Sequence, residues 1–369
     1  MSATVSRGTT AAPARGPRAE WRPRVTAVIP VRNEERDLGA CLDAVLAQEY
    51  PRELLEVIVV DGGSRDGSVA IVESYRRRDP RVALRRNPAG TIPAGLNVGI
   101  RAATGDVIAR VDARTRLAPD YVARAVRLLA ETGASNVGGA VRYASTDYMA
   151  RALGLVMESP FGVGGAAARY GGGADRWTDT VYMGVIPRRV FEAVGLFDEE
   201  ILQDEDTEFN YRVRERGGRI LVSDCLRSAY RNPSSVRRFV WKNFAFGYWK
   251  ARVWQKHRAL IAWRHLVPPA FVLGLAGGGA LALVEPWART VMGAAVAVYG
   301  AAAVAAALAV SRRAGLRYAP ALPALFAGMH VAWGLGFLAG AARFLPRWFA
   351  AETPPPALAP EAVATEAAG

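Results

Sequence analysis

From residue 25 onward, short apolar runs alternate with longer amphipathic ones, the pattern of βαβ units around a largely parallel sheet. Runs at 25–31, 56–61, 82–85 and 106–112 predict strands. Between them Leu38, Leu42, Val45 and Leu46 mark one helical face, and Val69, Val72 and Tyr75 mark another. Asn33 and Ser64 stand where helix caps belong. After residue 264 the sequence turns to Ala, Gly, Leu and Val, with uncharged stretches at 265–284, 290–311 and 318–342 of 20, 22 and 25 residues. Each is long enough to cross ~30 Å of hydrocarbon at ~1.5 Å per residue.

Charge divides the chain in the same way. The 369 residues carry a net +13, which invites a nucleic-acid or membrane reading. Yet residues 25–224 hold 26 basic and 29 acidic side chains, whereas 225–264 hold ten basic and no acidic ones, and 1–24 hold five basic and one acidic. A nucleic-acid-binding domain carries its positive charge on its own folded face, so no nucleic-acid partner is expected. The organisation that follows is a disordered basic tail (1–24), a catalytic domain (25–224), a basic aromatic collar (225–264), about three transmembrane helices (265–345) and a disordered tail (346–369). In the collar, Arg237, Arg238, Lys242, Lys250, Arg252 and Lys256 interleave with Phe239, Trp241, Phe244, Phe246, Tyr248, Trp249 and Trp254, as in a helix lying on an anionic membrane surface. Basic loops put the collar and Arg312, Arg313 and Arg317 on the cytosolic side. With three crossings the Pro-rich C-terminus then ends outside, where Arg343 and Arg347 sit awkwardly. The reading is a multi-pass protein of the cytoplasmic (inner) membrane with its catalytic domain in the cytosol. Cys41 and Cys225 read as ordinary thiols of a reducing compartment.

In an open α/β sheet the ligand lies outside the carboxyl ends of the strands. Those ends carry acid: Glu34 and Glu35 after the first strand, Asp61 after the second, Asp112 at the end of the fourth. The first βα turn has no G-x-G-x-x-G, which argues against a dinucleotide. Asp61 is suited to accept from a base N–H or a ribose hydroxyl, and Asp112 to work through a metal or a ribose. The glycines 171–173 read as a mobile segment, and Trp177 after them as packing or as a stacking platform. Asp204, Glu205, Asp206 and Glu208 crowd the start of a helical run, where a carboxylate can serve as general base toward a sugar hydroxyl. His257, His265 and His330 lack partners at zinc-ligand spacing.

Four segments occur in order: Val-Ile-Pro-Val-Arg-Asn-Glu-Glu, Val-Val-Asp-Gly-Gly-Ser-Arg-Asp-Gly, Ala-Gly-Leu-Asn-Val-Gly-Ile-Arg-Ala-Ala-Thr-Gly-Asp and Glu-Asp-Thr-Glu-Phe-Asn-Tyr-Arg. Together they resemble family 2 glycosyltransferases, most closely the succinoglycan-biosynthesis type of bacterial membrane-anchored glucosyltransferase. The resemblance implies an α/β, nucleotide-diphospho-sugar transferase (GT-A type) fold with a mainly parallel central sheet, and an inverting transfer. It places Pro30, Val31, Arg32 and Glu34 near the nucleoside, Asp61 on the base, and Asp112 on the ribose or diphosphate side. Asp206, paired with Glu205, becomes the catalytic base, and residues 183–198 build the acceptor side. The donor it suggests is UDP-glucose or similar, and the acceptor a lipid-linked saccharide in exopolysaccharide or envelope glycan synthesis beside other polysaccharide-assembly proteins. No Gln-x-x-Arg-Trp run follows, which favours a single addition.

Two positions depart from the family pattern. Arg32 stands where many relatives have an aromatic. The Asp-x-Asp metal motif reads Asp112-Ala113-Arg114, so either Asp112 alone anchors Mg²⁺ or Mn²⁺ with diphosphate oxygens, or Arg114 neutralises the leaving diphosphate itself. The broken motif also leaves open a catalytically inactive nucleotide-sugar receptor.

Overall fold

The computed structural model describes residues 21–145, 147–164, 175–232, 234–260, 262–349 and 354–358. In chain order its elements are β1 (Val25–Val31), α1 (Leu38–Leu46), β2 (Leu55–Asp61), α2 (Ser68–Arg76), β3 (Val82–Arg86), α3 (Ile92–Ala102), β4 (Val107–Arg110), β5 (Thr115–Leu117), α4 (Tyr121–Thr132), β6 (Asn136–Tyr143), α5 (Tyr148–Glu158), α6 (Pro160–Val163), β7 (Arg176–Thr178), β8 (Tyr182–Pro187), α7 (Arg188–Val194), α8 (Glu205–Glu215), β9 (Ile220–Tyr230), α9 (Val236–Lys256), α10 (Trp263–Val284), α11 (Pro286–Ala314) and α12 (Leu322–Phe344).

Among the described residues one sheet runs β3-β2-β1-β4-β8-β6-β9-β5, with β7 added to β9. β1 alternates its side chains: Val25, Ala27, Ile29 and Val31 pack toward α1 and α4, while Val28 packs toward α3, α7 and α8. Both faces are thus buried, as a strand rich in β-branched residues requires. The sheet is parallel from β3 to β4 and mixed beyond, since β8 runs antiparallel between β4 and β6. The four strands legible in the sequence are the parallel half.

Asn33 and Ser64 are not helix caps. α1 and α2 start later, after Asp37 and Gly67, without side-chain caps. The two residues instead join the loops after β1 and β2: the Asn33 N–H donates to Ser64 Oγ at 2.9 Å, and the Arg65 N–H to Asn33 Oδ1 at 2.8 Å. Glu35 extends the joint by accepting from the Gly67 N–H at 2.7 Å. The left-handed φ of 57° at Asn33 is tolerated because Asn bonds locally in that region.

Three boundaries move. The Arg24 N–H donates to Asp106 and the Tyr50 hydroxyl to Pro23 O, so the domain starts before Val25; residues 1–20 of the expected tail, like the 171–173 glycines, lie outside the described residues. β9 continues to Tyr230, past residue 224, because strand pairing with β5 and β6 holds it. The C-terminal tail is also engaged: the Leu196 N–H donates to Pro356 O at 2.9 Å, and Leu358 packs on the core formed by α3, α7 and α8. Residues 356 and 358 thus touch the catalytic domain.

α10, α11 and α12 are each long and apolar enough to cross a membrane, and the chain is membrane-associated on that ground. A third core joins Ala152, Leu153 and Val156 of α5 to Ala307 of α11 and to Leu322, Phe326 and Met329 of α12. The catalytic domain is thus packed onto the apolar helices.

Candidate active site

A cavity of about 460 Å³ opens at the carboxyl ends of β1, β2 and β4, where the doubly covered sheet leaves its strand ends bare. Pro30, Val31, Arg32 and Glu34 line one side with Gly62, Asn87, Gly90 and Thr91. Asp112, Arg114, Glu205 and Asp206 line the floor. Of the residues expected at the site, Asp61 stands apart from the lining. Its carboxylate accepts from the Gly63 and Ser64 N–H groups at 3.1 and 3.2 Å and shapes the turn that brings Gly62 to the cavity.

The floor is organised by a residue the sequence reading overlooked. Arg110 ends β4 with its side chain 12 % exposed; it reaches Asp112 Oδ1 at 3.3 Å and Glu205 Oε1 at 2.9 Å. Burial opposes its charge, but Asp112, then Glu205 and Asp206, more than offset that and raise it above the ordinary arginine range. The signal for it was the period of two, which puts Arg110 and Asp112 on one strand face. Burial also pushes the Glu205 carboxyl upward; Arg110 opposes the shift and Asp206 adds to it. Glu205 and Asp206 open α8, where unpaired N–H groups favour negative charge. The Thr207 N–H donates to Asp206 Oδ1 at 2.8 Å.

Arg114 Nε donates to Glu34 Oε2 at 2.7 Å. Burial disfavours the guanidinium, but the hydrogen bond it donates to Glu34 holds it well above its usual range. Arg32 reaches Gly90 O at 3.0 Å.

For a divalent metal, the donor set is thin. Asp112 is the carboxylate at the motif, Arg110 already meets it, and among the described residues no three His, Cys, Asp or Glu gather as ligands. The site therefore suits an ion that arrives with a diphosphate and takes one protein ligand, as Mg²⁺ does when it keeps its waters. It does not suit a resident metal.

The opposite wall is aromatic: Tyr143, Tyr182 and Tyr230, with Met157 of α5 and Lys242 and Phe246 of α9. Tyr230 meets Tyr143 and Tyr182 edge-on, at 5.8 and 6.1 Å between ring centres. Of residues 183–198, Met183 and Val185 are buried in the sheet core and Asp198 pairs with Lys256. Trp177 lies off the cavity, beneath the Arg219 guanidinium.

The collar does more than face lipid. Lys250 pairs with Asp204 at 2.5 Å, Arg252 with Glu200 at 2.7 Å, and His257 with Glu208 at 3.0 Å. Much of the basic charge assigned to headgroups thus balances acids of 198–208.

A family model described as Glycosyl transferase family 2 matches residues 26–185. Succinoglycan biosynthesis protein ExoA of Rhizobium meliloti (strain 1021) is 30% identical over 312 residues, covering 84% of this chain and 92% of that protein. A dolichyl N-acetyl-alpha-D-glucosaminyl phosphate 3-beta-D-2,3-diacetamido-2,3-dideoxy-beta-D-glucuronosyltransferase of Methanococcus voltae is 23% identical over 266 residues, 68% of this chain and 79% of that one. Among solved structures, the mannosyltransferase PcManGT from Pyrobaculum calidifontis, in complex with GDP-Man and Mn²⁺, shares the fold at a TM-score of 0.57 and 24% identity, over 86% of this chain and 88% of that one. With 30% identity kept along nearly the whole of a family relative, the chain belongs to glycosyl transferase family 2 and is a glycosyltransferase.

Proposed function

We propose that the protein transfers a sugar, with inversion, from a nucleotide-diphospho-sugar to a lipid-linked saccharide at the cytosolic face of the inner membrane, in the synthesis of an exopolysaccharide or envelope glycan. The observation that carries this reading is that Asp112, Glu205 and Asp206 line one cavity, with Arg110 paired to both Asp112 and Glu205. Pro30, Val31, Arg32 and Glu34 bind the nucleoside, Asp61 orders the loop against the base, and Asp112 and Arg114 face the diphosphate. Asp206 takes the proton of the attacking hydroxyl, and the carbohydrate rests on the tyrosine wall. Asp112 would hold Mg²⁺ or Mn²⁺ with the diphosphate, and such an ion supplies charge neutralisation to the leaving group. UDP-glucose is the first donor to try, on the likeness to a succinoglycan biosynthesis protein. The lipid-linked acceptor is supported by the wall that α5 and α9 contribute, since both pack on the apolar helices.

The test is transfer of labelled sugar from a panel of sugar nucleotides to membrane lipid, with Asp206→Asn as the decisive variant. Donor binding should survive while transfer falls by about 10² or more. Transfer near the wild-type rate would remove Asp206 from the role of base.

A further inference from the structure

The third apolar helix has the length to cross a bilayer but not the surroundings. α12 has 23 residues, about 35 Å at ~1.5 Å per residue. At its first end, the Tyr148 hydroxyl of α5 donates to Arg317 O at 2.9 Å, and the rings of Tyr148 and Tyr318 stack 5.1 Å apart. Past its last residue, Arg347 pairs with Glu200, and Pro356 accepts from the Leu196 N–H. Both ends therefore touch the catalytic domain. A helix that crossed hydrocarbon would have its ends in different aqueous phases, and a domain rich in ion pairs cannot follow it through.

Between these ends α12 runs alongside α9 in the same direction. Phe239 packs with Phe326 and Met329. Further along, Cβ atoms added at Gly336 and Gly340 would fall 2.0 Å from Phe244 O and 2.3 Å from Tyr248 O, so the two backbones are as close as glycine permits. Trp254 then meets Trp348 with ring centres 5.0 Å apart. α9 is itself laid along the catalytic domain, with Lys242 and Phe246 at the cavity, Lys250 on Asp204 and His257 on Glu208.

α10 and α11 behave differently. α10 leaves the middle of α12, where Gly334 lies against Pro268 O, and α11 returns there, with the Tyr299 hydroxyl 2.9 Å from His330 Nδ1. Between these points Leu281, Leu283, Val284, Trp287, Val291, Val296 and Val298 are exposed, an apolar surface that only lipid covers well. The charges agree: Arg264 at the start of α10, Arg312 and Arg313 at the end of α11, and Arg343 and Arg347 fall at the catalytic side, leaving Glu285 and Arg289 at the far turn.

We propose that only α10 and α11 cross the bilayer, as a hairpin, and that α9 and α12 form a platform in the plane of the membrane whose partner is the lipid surface. Exposed Trp241 of α9 and Leu335 of α12, with Trp263 at the start of α10 and Leu345 just past α12, supply the apolar and interfacial contacts of that platform. The C-terminus then stands on the same side as the catalytic domain, and Arg343 and Arg347 no longer sit on the wrong face. That this side is the cytosol rests on the function proposed above.

The experiment fuses green fluorescent protein or alkaline phosphatase to either end of the full chain in cells. In parallel, single cysteines Glu285→Cys and Ala357→Cys, in a Cys225→Ser background, are labelled with a membrane-impermeant maleimide. The expected result is fluorescence without phosphatase activity at both ends, Glu285→Cys labelled in intact spheroplasts, and Ala357→Cys labelled only after permeabilisation. Ends on opposite sides, or Ala357→Cys labelled without permeabilisation while the N-terminus stays inside, would overturn the hairpin. Both ends outside would keep the hairpin and overturn the cytosolic placement of the catalytic domain.

Discussion

Lys250 Nζ lies 2.5 Å from Asp204 Oδ2, and Asp204 holds a left-handed backbone, φ 75°, immediately before Glu205 and Asp206. A non-glycine residue in that region needs its surroundings to keep it there. The Thr207 hydroxyl, which donates to Asp204 Oδ1 at 2.8 Å, and Lys250 do so. Removing one partner of a nearly buried pair leaves the other charge stranded, at about 3 kcal/mol. Lys250→Ala should lower thermal stability by that order and slow transfer about tenfold, with donor binding kept. A Lys250→Met, Asp204→Asn double variant should regain much of the stability. Unchanged transfer by Lys250→Ala in detergent or nanodiscs would show that the pair does not position the base.

Arg110 leads to a prediction about pH. Its guanidinium favours the charged form of Glu205, so removing it makes that carboxyl hold its proton more tightly. Arg110→Gln should cut transfer by about 10² and move the acid limb of the pH–rate profile to higher pH, while Arg110→Lys recovers part of both. A variant with reduced rate and an unmoved acid limb would assign Arg110 to packing alone.

How much of this was readable in advance depended on whether a pattern is local. β1 and α1 announce themselves through runs and periods inside one segment, and the acids at the strand ends follow from where those runs stop. Arg110 and Glu205 are 95 residues apart in sequence and meet only because β4 and the start of α8 share the cavity floor. The collar was legible only in part for a related reason: a row of Lys and Arg next to apolar helices suggests lipid, and nothing local tells Lys250 that Asp204 will face it. For α12, length and hydropathy are properties of a segment, whereas crossing a membrane depends on where its ends are held.

Arg114 and Glu34 predict opposite effects on the donor. Arg114→Ala should weaken nucleoside diphosphate binding about tenfold, and Glu34→Gln, which releases the guanidinium and removes a nearby negative charge, should tighten it; titration calorimetry at low salt reads both. If Glu34→Gln weakens binding instead, the contact of Glu34 with the nucleoside outweighs its hold on Arg114. With excess EDTA, wild-type transfer should fall if Asp112 acts through an ion. Transfer that survives EDTA and is lost in Arg114→Ala assigns the neutralisation to the arginine.

Glu208 predicts acid sensitivity. Burial works to raise its carboxyl, but hydrogen bonds from His257 and Arg212 win and hold it below the ordinary range. A depressed folded-state value contributes stability above the unfolded value of about 4.3, and that contribution disappears as pH falls through the folded one. Glu208→Gln should therefore cost about 3 kcal/mol at pH 7 and show a flatter loss of stability than wild type below about pH 4. Parallel acid unfolding curves for the two proteins would refute this.

The glycine crossing of α9 and α12 fixes the distance between chemistry and lipid. One helix has its lysine and phenylalanine in the cavity and the other's glycines against its backbone, so the domain cannot swing like a tethered ball. On the proposed platform it would stand off the bilayer by one helix diameter, ~10 Å. A saccharide growing from a lipid is then measured as well as recognised: hydroxyls held too close to the headgroups, or carried too far out by added sugars, miss Asp206 on height alone. Under the proposed function and platform, chain length on the acceptor becomes a specificity determinant that no side chain of the cavity needs to encode.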